Sequence, residues 1–304
     1  MFEKVLFSTD FSEYARSALQ CIAGFPGVRE VILFHVDEAA RSPRGGGEIS
    51  DSFSHAGEHP LREEKRSLEH LNRNLRVTAA IRTSSDITGA IIGAAEEYGV
   101  SLIVIGARGK SLVGGILLGS VAMAVLRRSR TSVLIMRHRV IGGLKEKTYE
   151  MFCPRILSRV LCPTDFSPHA DRAIALLHAT EGVGEVILLH VVSRGETEGE
   201  IEDAVRAAED QVESLRRNLA AQGMDVRTLV RIGDPAFEIA RTADEEDISL
   251  IWMSSHGKGW FRELLLGHTA YTVAMHARRP VLIVRTPEEG HRTIQKPGDD
   301  FIRA

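Results

Sequence analysis

Three glycines and a serine in the first half of the chain have the residue types and spacing of an anion-binding loop. Gly106 and Gly109 follow a short apolar run, and after nine further residues Gly119 and Ser120 open a segment with helical character. Glycine permits positive φ and close backbone approach, so successive N–H groups of such a loop can point at one anion. The free N–H groups and positive dipole end of the following helix, together with the Ser120 hydroxyl, would receive a phosphate group. The spacing alone fits equally well a pair of tight turns and a capped helix.

A second polar segment, Ser8 to Asp10, follows the first apolar run of the chain. In an open parallel sheet, ligands bind beyond the carboxyl ends of the strands, where the strand order reverses. Two standard phosphate motifs do not fit. A P-loop ending at residues 109–111 would need a glycine where the chain has Val104, and no glycine cluster of the dinucleotide-binding type follows the first apolar run.

The elements that must position these residues occur twice, in two halves of the chain. Residues 4–12 (KVLFSTDFS) match residues 159–167 (RVLCPTDFS), 155 positions later. Residues 133–137 match residues 281–285 only 148 positions later, so the first half carries seven additional residues. The Gly-, Ser- and His-rich stretch 42–59 accommodates them as a mobile loop. Self-similarity on this scale indicates that a whole domain was duplicated.

Within each half, short β-branched apolar runs alternate with helical segments. In the first half we predict strands at Val5–Phe7, Val31–Val36, Leu102–Ile105 and Val133–Met136. Helices are predicted over Glu13–Gly24 (with Ser12 as N-cap), Leu61–Leu75, Ser85–Gly99 and Val121–Arg128. Strands that alternate with helices predict βαβ units, and therefore a parallel sheet with helices on both faces.

Length and composition favour two ordinary domains. The 304 residues are 43% hydrophobic, which is enough for a core in each half. We expect a first domain at 1–140, a linker at 141–155, a second domain at 156–286 and a fraying tail at 287–304.

The charge balance and the cysteine content restrict the partners and the compartment. A formal net charge of -3 gives no basic excess for nucleic acid. We find neither a signal peptide nor an apolar stretch that could span a bilayer. Cys21, Cys153 and Cys162 are too few for a disulfide framework, and we expect Cys153 and Cys162 to be free thiols. The sequence therefore predicts a cytoplasmic protein without a nucleic-acid or membrane partner.

The chain resembles the universal stress protein family over nearly its whole length, once in each half. The resemblance rests on Thr9-Asp10-Phe11-Ser12, on His35-Val36 and on the loop Gly106-x2-Gly109-x9-Gly119-Ser120. It implies two tandem Rossmann-like domains of the adenine nucleotide α-hydrolase type, each a five-stranded parallel sheet with helices on both faces. It also implies an internal pseudo-dimer in which Val133–Met136 pairs with Val281–Val284, and it leaves open a homodimer of tandem chains.

The resemblance further implies an ATP site in the first half, with or without Mg²⁺. Asp10 matches the residue that hydrogen-bonds the adenine, and a helix-capping aspartate is the alternative role for it. The base pocket would be lined by Ser8, Thr9, Val36 and Ile105. The ribose and phosphates would be held by Gly106, Arg108, Gly109, Gly119, Ser120 and Val121.

The second half departs from this pattern at two positions. Ser254 stands where the first glycine of the loop should be, and His268 replaces the serine. A Cβ at Ser254 would crowd the nucleotide and resist positive φ, and His268 is bulky although a protonated ring would attract phosphate. Nucleotide is therefore expected mainly in the first half. A second, weaker site would use Pro163, at the position of Ser8, and the retained residues Asp165, Val191, Gly257 and Gly267.

We find no catalytic constellation. Phosphoryl transfer needs a metal-binding Asp or Asn and a base near the phosphates, and residues 106–120 contain no carboxylate. The twelve histidines show no metal-binding spacing, and His35 and His190 are read as structural. The sequence and the resemblance together predict an ATP-binding regulatory or sensor protein of the stress response, with a protein partner that the sequence does not identify. Two alternatives remain, a slow ATP-hydrolysing enzyme of the same superfamily and a scaffold that works without nucleotide.

Overall fold

The computed structural model describes residues 2–38, 57–107, 118–141, 148–151, 156–193, 197–258 and 266–285. The first half contains five strands and four helices: β1 (Lys4–Ser8), α1 (Glu13–Ala23), β2 (Glu30–Asp37), α2 (Glu58–Leu71), β3 (Arg76–Thr83), α3 (Ile87–Glu97), β4 (Leu102–Gly106), α4 (Ser120–Arg128) and β5 (Ser132–Met136). Two short strands follow, β6 (His138–Ile141) and β7 (Thr148–Met151). The second half repeats the pattern: β8 (Arg159–Pro163), α5 (Pro168–His178), β9 (Glu185–Val192), α6 (Glu198–Ala220), β10 (Asp225–Ile232), α7 (Pro235–Glu245), β11 (Leu250–Ser254), α8 (His268–His276) and β12 (Val281–Val284).

The strands of both halves form one ten-stranded sheet in the order β10-β9-β8-β11-β12-β5-β4-β1-β2-β3. Within each half all strand pairs are parallel, as the alternation of strands and helices predicts. One apolar core lies under α1, α2, α5 and α6, and a second lies on the opposite face under α3, α4, α7 and α8. Each half is thus a five-stranded Rossmann-like layer with helices on both faces.

The halves meet where β5 pairs antiparallel with β12, in the register Ile135 to Val281 and Val133 to Ile283. This is the pairing of last strands that the resemblance implies. An arginine follows each of these strands and crosses to the other half. Arg137 donates to the Ala274 carbonyl on α8, and the Arg285 guanidinium donates to the Leu126 carbonyl on α4 at 2.7 Å. Burial lowers the pKa of Arg285 to about 10.

Several predicted boundaries differ from the structure. The helix predicted from Leu61 begins three residues earlier at Glu58, inside the predicted loop 42–59, and it ends at Leu71 rather than Leu75. β3 and β10 lie at the two edges of the sheet, and their half-exposed, Arg-containing sequences lack the continuous apolar run that identified the inner strands. The segment between the halves, predicted as a linker, contains the β6–β7 hairpin.

The cysteines do not all behave as composition suggested. Cys162 is a free, fully buried thiol on β8, and burial raises its pKa to about 12. Cys21 on α1 is disulfide-bonded, which the cysteine count gave no reason to expect. Cys153 lies outside the described residues, as does the predicted tail 287–304. In the described ranges, no helix has the length and apolar character needed to cross a lipid bilayer.

Candidate functional site

The strand order reverses between β1 and β4, and this is where an open parallel sheet binds ligands. Ser8 ends β1 and is aligned with Ile105 on β4, so two of the predicted pocket residues lie side by side at this edge. Gly106 follows Ile105 and is aligned with Met136 of β5. Val36 lies two residues beyond the partner of Ser8 on β2. The fold therefore gathers these four predicted residues at the carboxyl end of the sheet.

The turn from β1 to α1 has a fixed, strained geometry. Phe11 has a φ of 61°, a left-handed conformation that is costly for a bulky side chain. Two hydrogen bonds between residues two positions apart hold this turn. The Phe11 N–H donates to Thr9 Oγ1 at 3.1 Å, and the Ser12 N–H donates to Asp10 Oδ1 at 3.0 Å. Ser12 is the N-cap of α1, as predicted, and accepts from the Ala15 N–H at 3.2 Å.

Asp10 is therefore not the helix cap that was the alternative role for it. Its Oδ1 fixes the capping residue, while its Oδ2 is buried and has no hydrogen-bond partner among the described residues. A buried acceptor without a donor is unfavourable and unusual in a folded protein. This oxygen can accept an N–H group from a ligand.

A buried glutamate on α2, which the sequence did not identify as part of the site, is hydrogen-bonded to this turn. The Thr9 hydroxyl donates to Glu64 Oε1 on α2 at 3.1 Å, and the two residues are only 4% and 5% exposed. The Thr9 carbonyl lies 2.8 Å from Nδ1 of His35, which confirms a structural role for that ring. Burial raises the pKa of Glu64, against the opposing effects of the Thr9 hydrogen bond and Arg16. The sequence signal for Glu64 is its position between Leu61 and Leu68 on the buried stripe of α2.

The start of α4 has free backbone donors. Gly119 is the N-cap, and in the described part of the chain no side chain makes a capping hydrogen bond to this end of the helix. The N–H groups of the first turn, from Ser120 and Val121 onward, therefore lack partners within the helix. The Gly119 N–H itself donates to the Ala107 carbonyl at 2.7 Å. Residues 107 and 119, which lie on either side of the loop, are thus hydrogen-bonded to each other.

Gly106 does not use the positive φ that glycine permits, because it continues β4 and is not among the described residues with positive φ. Gly119 is also in an extended conformation, with φ -71° and ψ 158°. The equivalent Gly267 indicates why glycine is favoured there, since an added Cβ would lie 3.3 Å from the Ser255 carbonyl oxygen. Arg108 and Gly109 lie outside the described residues.

The second half repeats the turn but not the open oxygen. Asp165 Oδ1 accepts from the Ser167 N–H at 3.1 Å, and Phe166 has a φ of 59°. However, Asp165 Oδ2 accepts from the backbone N–H of Lys258 at 2.7 Å. Gly257 packs so closely on this carboxylate that a Cβ would collide with Oδ2. The loop of the second half thus bonds to the oxygen whose equivalent at Asp10 has no partner in the described part of the first half.

The other residues of the second site lie at the corresponding edge. Pro163 ends β8 and Val191 is near the end of β9, while Gly267 caps α8 with φ -69° and ψ 154°. The expected strain at Ser254 is wrong, because this residue ends β11 without positive φ. Its hydroxyl instead donates to the His256 carbonyl at 2.7 Å. His268 is the first residue of α8.

Comparisons with known proteins identify relatives of both halves. The model of the Universal stress protein family matches residues 1–137 and again 157–285. Universal stress protein MJ0577 of Methanocaldococcus jannaschii is 30% identical over 152 residues, covering 42% of this chain and 94% of that protein. A universal stress protein of Mycolicibacterium smegmatis is 27% identical over 224 residues, covering 69% of each chain. A universal stress protein structure from Archaeoglobus fulgidus matches with a TM-score of 0.66 and 26% identity, covering 94% of this chain and 97% of that one.

Proposed function

The chain belongs to the universal stress protein family, and from that premise we propose that it is an ATP-binding regulatory protein whose nucleotide site lies in the first half. The observation that carries the proposal is the contrast between two equivalent carboxylates. Asp10 Oδ2 is buried without a donor, whereas Asp165 Oδ2 is bonded to the Lys258 N–H. Among the described residues of the first half no donor pairs with this oxygen, and a ligand could supply one, whereas the second half supplies its own.

Adenine fits the requirement at Asp10 because its exocyclic amino group is an N–H donor. A hydrogen bond from that group to a carboxylate contributes about 1.5–3 kcal/mol when it is shielded from water. Ser8 and Ile105 lie next to each other at the same edge and would contact the base. A base with a carbonyl in place of the amino group would present an acceptor to an acceptor and bind less well.

The start of α4 fits the phosphates. Its first-turn N–H groups have no capping side chain in the described ranges, and the helix dipole favours negative charge at that end. The Ser120 hydroxyl would add a donor. Within the described residues there is no group of three or more His, Cys, Asp or Glu side chains that could hold a metal ion, so a Mg²⁺ ion would be held chiefly by the phosphates.

We infer a regulatory role rather than efficient catalysis. The fixed turn and the uncapped helix are suited to holding a nucleotide. Bound nucleotide would change a surface offered to a protein partner in the cytoplasm. Slow hydrolysis would be a side reaction of such a site.

Calorimetric titration of ATP into the parent, Gly119→Ala and Gly267→Ala proteins tests the proposal. The two glycines have matching backbone angles that alanine can adopt, so each variant adds one Cβ at an equivalent cap. We expect one site per chain, weakened about tenfold or more by Gly119→Ala and unchanged by Gly267→Ala. Two sites would show that the second half opens for nucleotide. No binding to nucleotide-free parent protein would refute the proposal and favour a scaffold.

A further inference from the structure

The edge of the sheet at β10 has exposed apolar side chains beside it. β10 pairs with β9 on one side and with no other strand of the described ranges on the opposite side. Ile232, which ends β10, is 49% exposed, and Phe237 in the first turn of α7 is 63% exposed. They are two of the three exposed large apolar side chains among the described residues. An edge strand next to such side chains is a surface on which another strand can pair.

The backbone of β10 has hydrogen-bonding groups directed away from the sheet. The Gly233 N–H donates to the Val192 carbonyl of β9 at 3.0 Å. Since the N–H groups of a strand alternate between its two sides, those of Thr228, Val230 and Ile232 point away from β9. A strand added at this edge would therefore be hydrogen-bonded to the even-numbered residues of β10.

The sequence of β10 is complementary to itself in one antiparallel register. Residues directly opposite each other share a face of the sheet, so a twofold axis between two identical strands places one residue opposite itself. With Thr228 on the axis, Asp225 lies opposite Arg231 of the partner subunit, and symmetry gives the reverse pair. Val226 then lies opposite Val230 of the partner subunit. Thr228 forms a hydrogen-bonded pair with its own copy, which agrees with its outward N–H group.

The two neighbouring registers bring like charges together. With Leu229 on the axis, Arg227 would lie opposite Arg231 of the partner subunit, and with Arg227 on the axis it would lie opposite itself. Like charges directly opposite each other in a sheet are destabilising. The charges of β10 thus favour Thr228 over both of its neighbours as the central residue.

The charged side chains of the favoured register are accessible. Asp225 is exposed, and the Arg231 side chain is 32% exposed. Arg231 already contacts Glu245 on α7, with 3.4 Å between Nη2 and Oε2. A guanidinium group has five N–H donors, so this contact leaves it able to bind a second carboxylate.

The opposite edge of the sheet, at β3, lacks this complementarity. Arg76 stands where β10 has Asp225, and Arg82 stands where it has Arg231. The equivalent register, centred on Ala79, would place Arg76 opposite Arg82 of the partner subunit twice. β3 also has no exposed large apolar side chain. Self-pairing is therefore disfavoured at one edge of the sheet and favoured at the other.

We propose that β10 is an interface for a second copy of this chain, paired antiparallel in the register centred on Thr228. The two ten-stranded sheets then form one continuous sheet, and each Ile232 and Phe237 lies at an end of the strand pair, where the partner subunit covers it. Such an interface is isologous and closed, so it gives a dimer rather than a filament. The inference is independent of the proposed function, because the candidate nucleotide site lies in the other half.

Charge exchange across the interface tests the proposal. The mass of the full chain is measured by light scattering after gel filtration over the micromolar concentration range, and the parent should be a dimer. Asp225→Arg should raise the dimer Kd about tenfold or more, because it replaces two attractive cross-strand pairs by two repulsive ones. Arg231→Asp should do the same, and the double exchange of both residues should restore the dimer. An unchanged Tm shows that each variant is folded.

A cysteine on the axis tests the register. The two copies of residue 228 would have their Cα atoms about 5.5 Å apart, a distance that a disulfide can span. Thr228→Cys should therefore form a covalent dimer under mild oxidation. Ala79→Cys at the equivalent position of β3 is the matched control, and it should form no more covalent dimer than the parent.

Three results would overturn the proposal. A parent that remains monomeric at every concentration shows that β10 does not bind a second copy. A dimer whose Kd is unaffected by either charge reversal shows that the copies meet at another surface. A double exchange that fails to restore the dimer, or equal crosslinking of Thr228→Cys and Ala79→Cys, shows that the register is wrong.

Discussion

Replacing the two equivalent aspartates, Asp10 and Asp165, by asparagine one at a time should separate an effect on ATP affinity from an effect on the free energy of unfolding. In both turns Oδ1 accepts from the N–H two residues later, a bond that an asparagine oxygen can retain. The substitution then replaces Oδ2 by an NH₂ group. At Asp10 that oxygen has no partner among the described residues, whereas at Asp165 it accepts from Lys258.

The magnitudes follow from those contacts. Asp10→Asn breaks no described hydrogen bond, so we expect the free energy of unfolding without nucleotide to change little. It presents a donor to the adenine amino group and removes a charge-assisted bond of about 1.5–3 kcal/mol, which raises the Kd for ATP about ten- to hundredfold. Asp165→Asn leaves the Lys258 N–H facing a donor, at a cost of about 1–3 kcal/mol in stability. It should leave ATP binding unchanged.

Calorimetry with ATP and thermal unfolding of the nucleotide-free proteins give the two readouts. We expect a binding defect alone in Asp10→Asn and a Tm lower by several degrees alone in Asp165→Asn. A drop in Tm for Asp10→Asn with normal ATP affinity would refute the reasoning, because Asp10 would then be a structural residue of the turn. A gain of a second ATP site in Asp165→Asn would show that the bond to Lys258 is what excludes nucleotide there.

Two further predictions concern the frame that holds the site. Arg285→Met should destabilise the protein by about 1–3 kcal/mol in thermal unfolding, because the Leu126 carbonyl at the end of α4 loses its donor from the other half. Glu185→Gln should flatten the acid limb of the stability profile. Burial acts to raise the pKa of Glu185, but hydrogen bonds from Arg227 and Arg159 outweigh it and lower the pKa. The stability from this group is therefore present above the unfolded pKa and lost as the pH falls through the lowered one.

The Arg285→Met and Glu185→Gln variants each have a matched control variant on the protein surface. Arg278→Met changes an exposed arginine seven residues before Arg285 and should leave the Tm unchanged. Glu213→Gln removes a carboxylate whose partner Arg216 is on the same helix, so its effect on acid stability should be small. Equal losses in Arg278→Met and Arg285→Met, or an unaltered acid limb in Glu185→Gln, would contradict these predictions.

The sequence located the inner strands and the turn of the site for a common physical reason. The strands β1, β2, β4 and β5 are buried on both faces, so each is a continuous apolar run. Such a run can be recognised from the local sequence without knowing which strands lie beside it. β3 is an edge strand whose pattern is mixed, and it was missed. The turn at Ser12 was recognised because a cap is a local signal.

The contacts that distinguish the candidate site of the first half from the equivalent region of the second half join residues far apart in the sequence. Glu64 bonds to a residue 55 positions earlier, and the Lys258 N–H bonds to a residue 93 positions earlier. The residue pattern alone indicates two differences between the halves, at Ser254 and His268. The described contacts add a third difference, at Asp165, which is the same residue type as Asp10 in the same motif. Its Oδ2 accepts a hydrogen bond from the Lys258 N–H of its own loop. A residue match therefore could not reveal that the two carboxylates differ in their described contacts.

The second half has a structural reason to persist even with its aspartate occupied. α4 begins at the candidate phosphate loop and ends on Arg285, while α8 begins at the second loop and ends on Arg137. Each helix that opens at a site edge is thus held at its other end by the opposite half. β12 also covers β5, whose five residues are all buried. A change that closes the second loop leaves these contacts intact, whereas loss of the second half would expose the edge of the sheet that carries the first site. The strand pairing and the arginines of the second half therefore support the first site independently of whether that half binds anything.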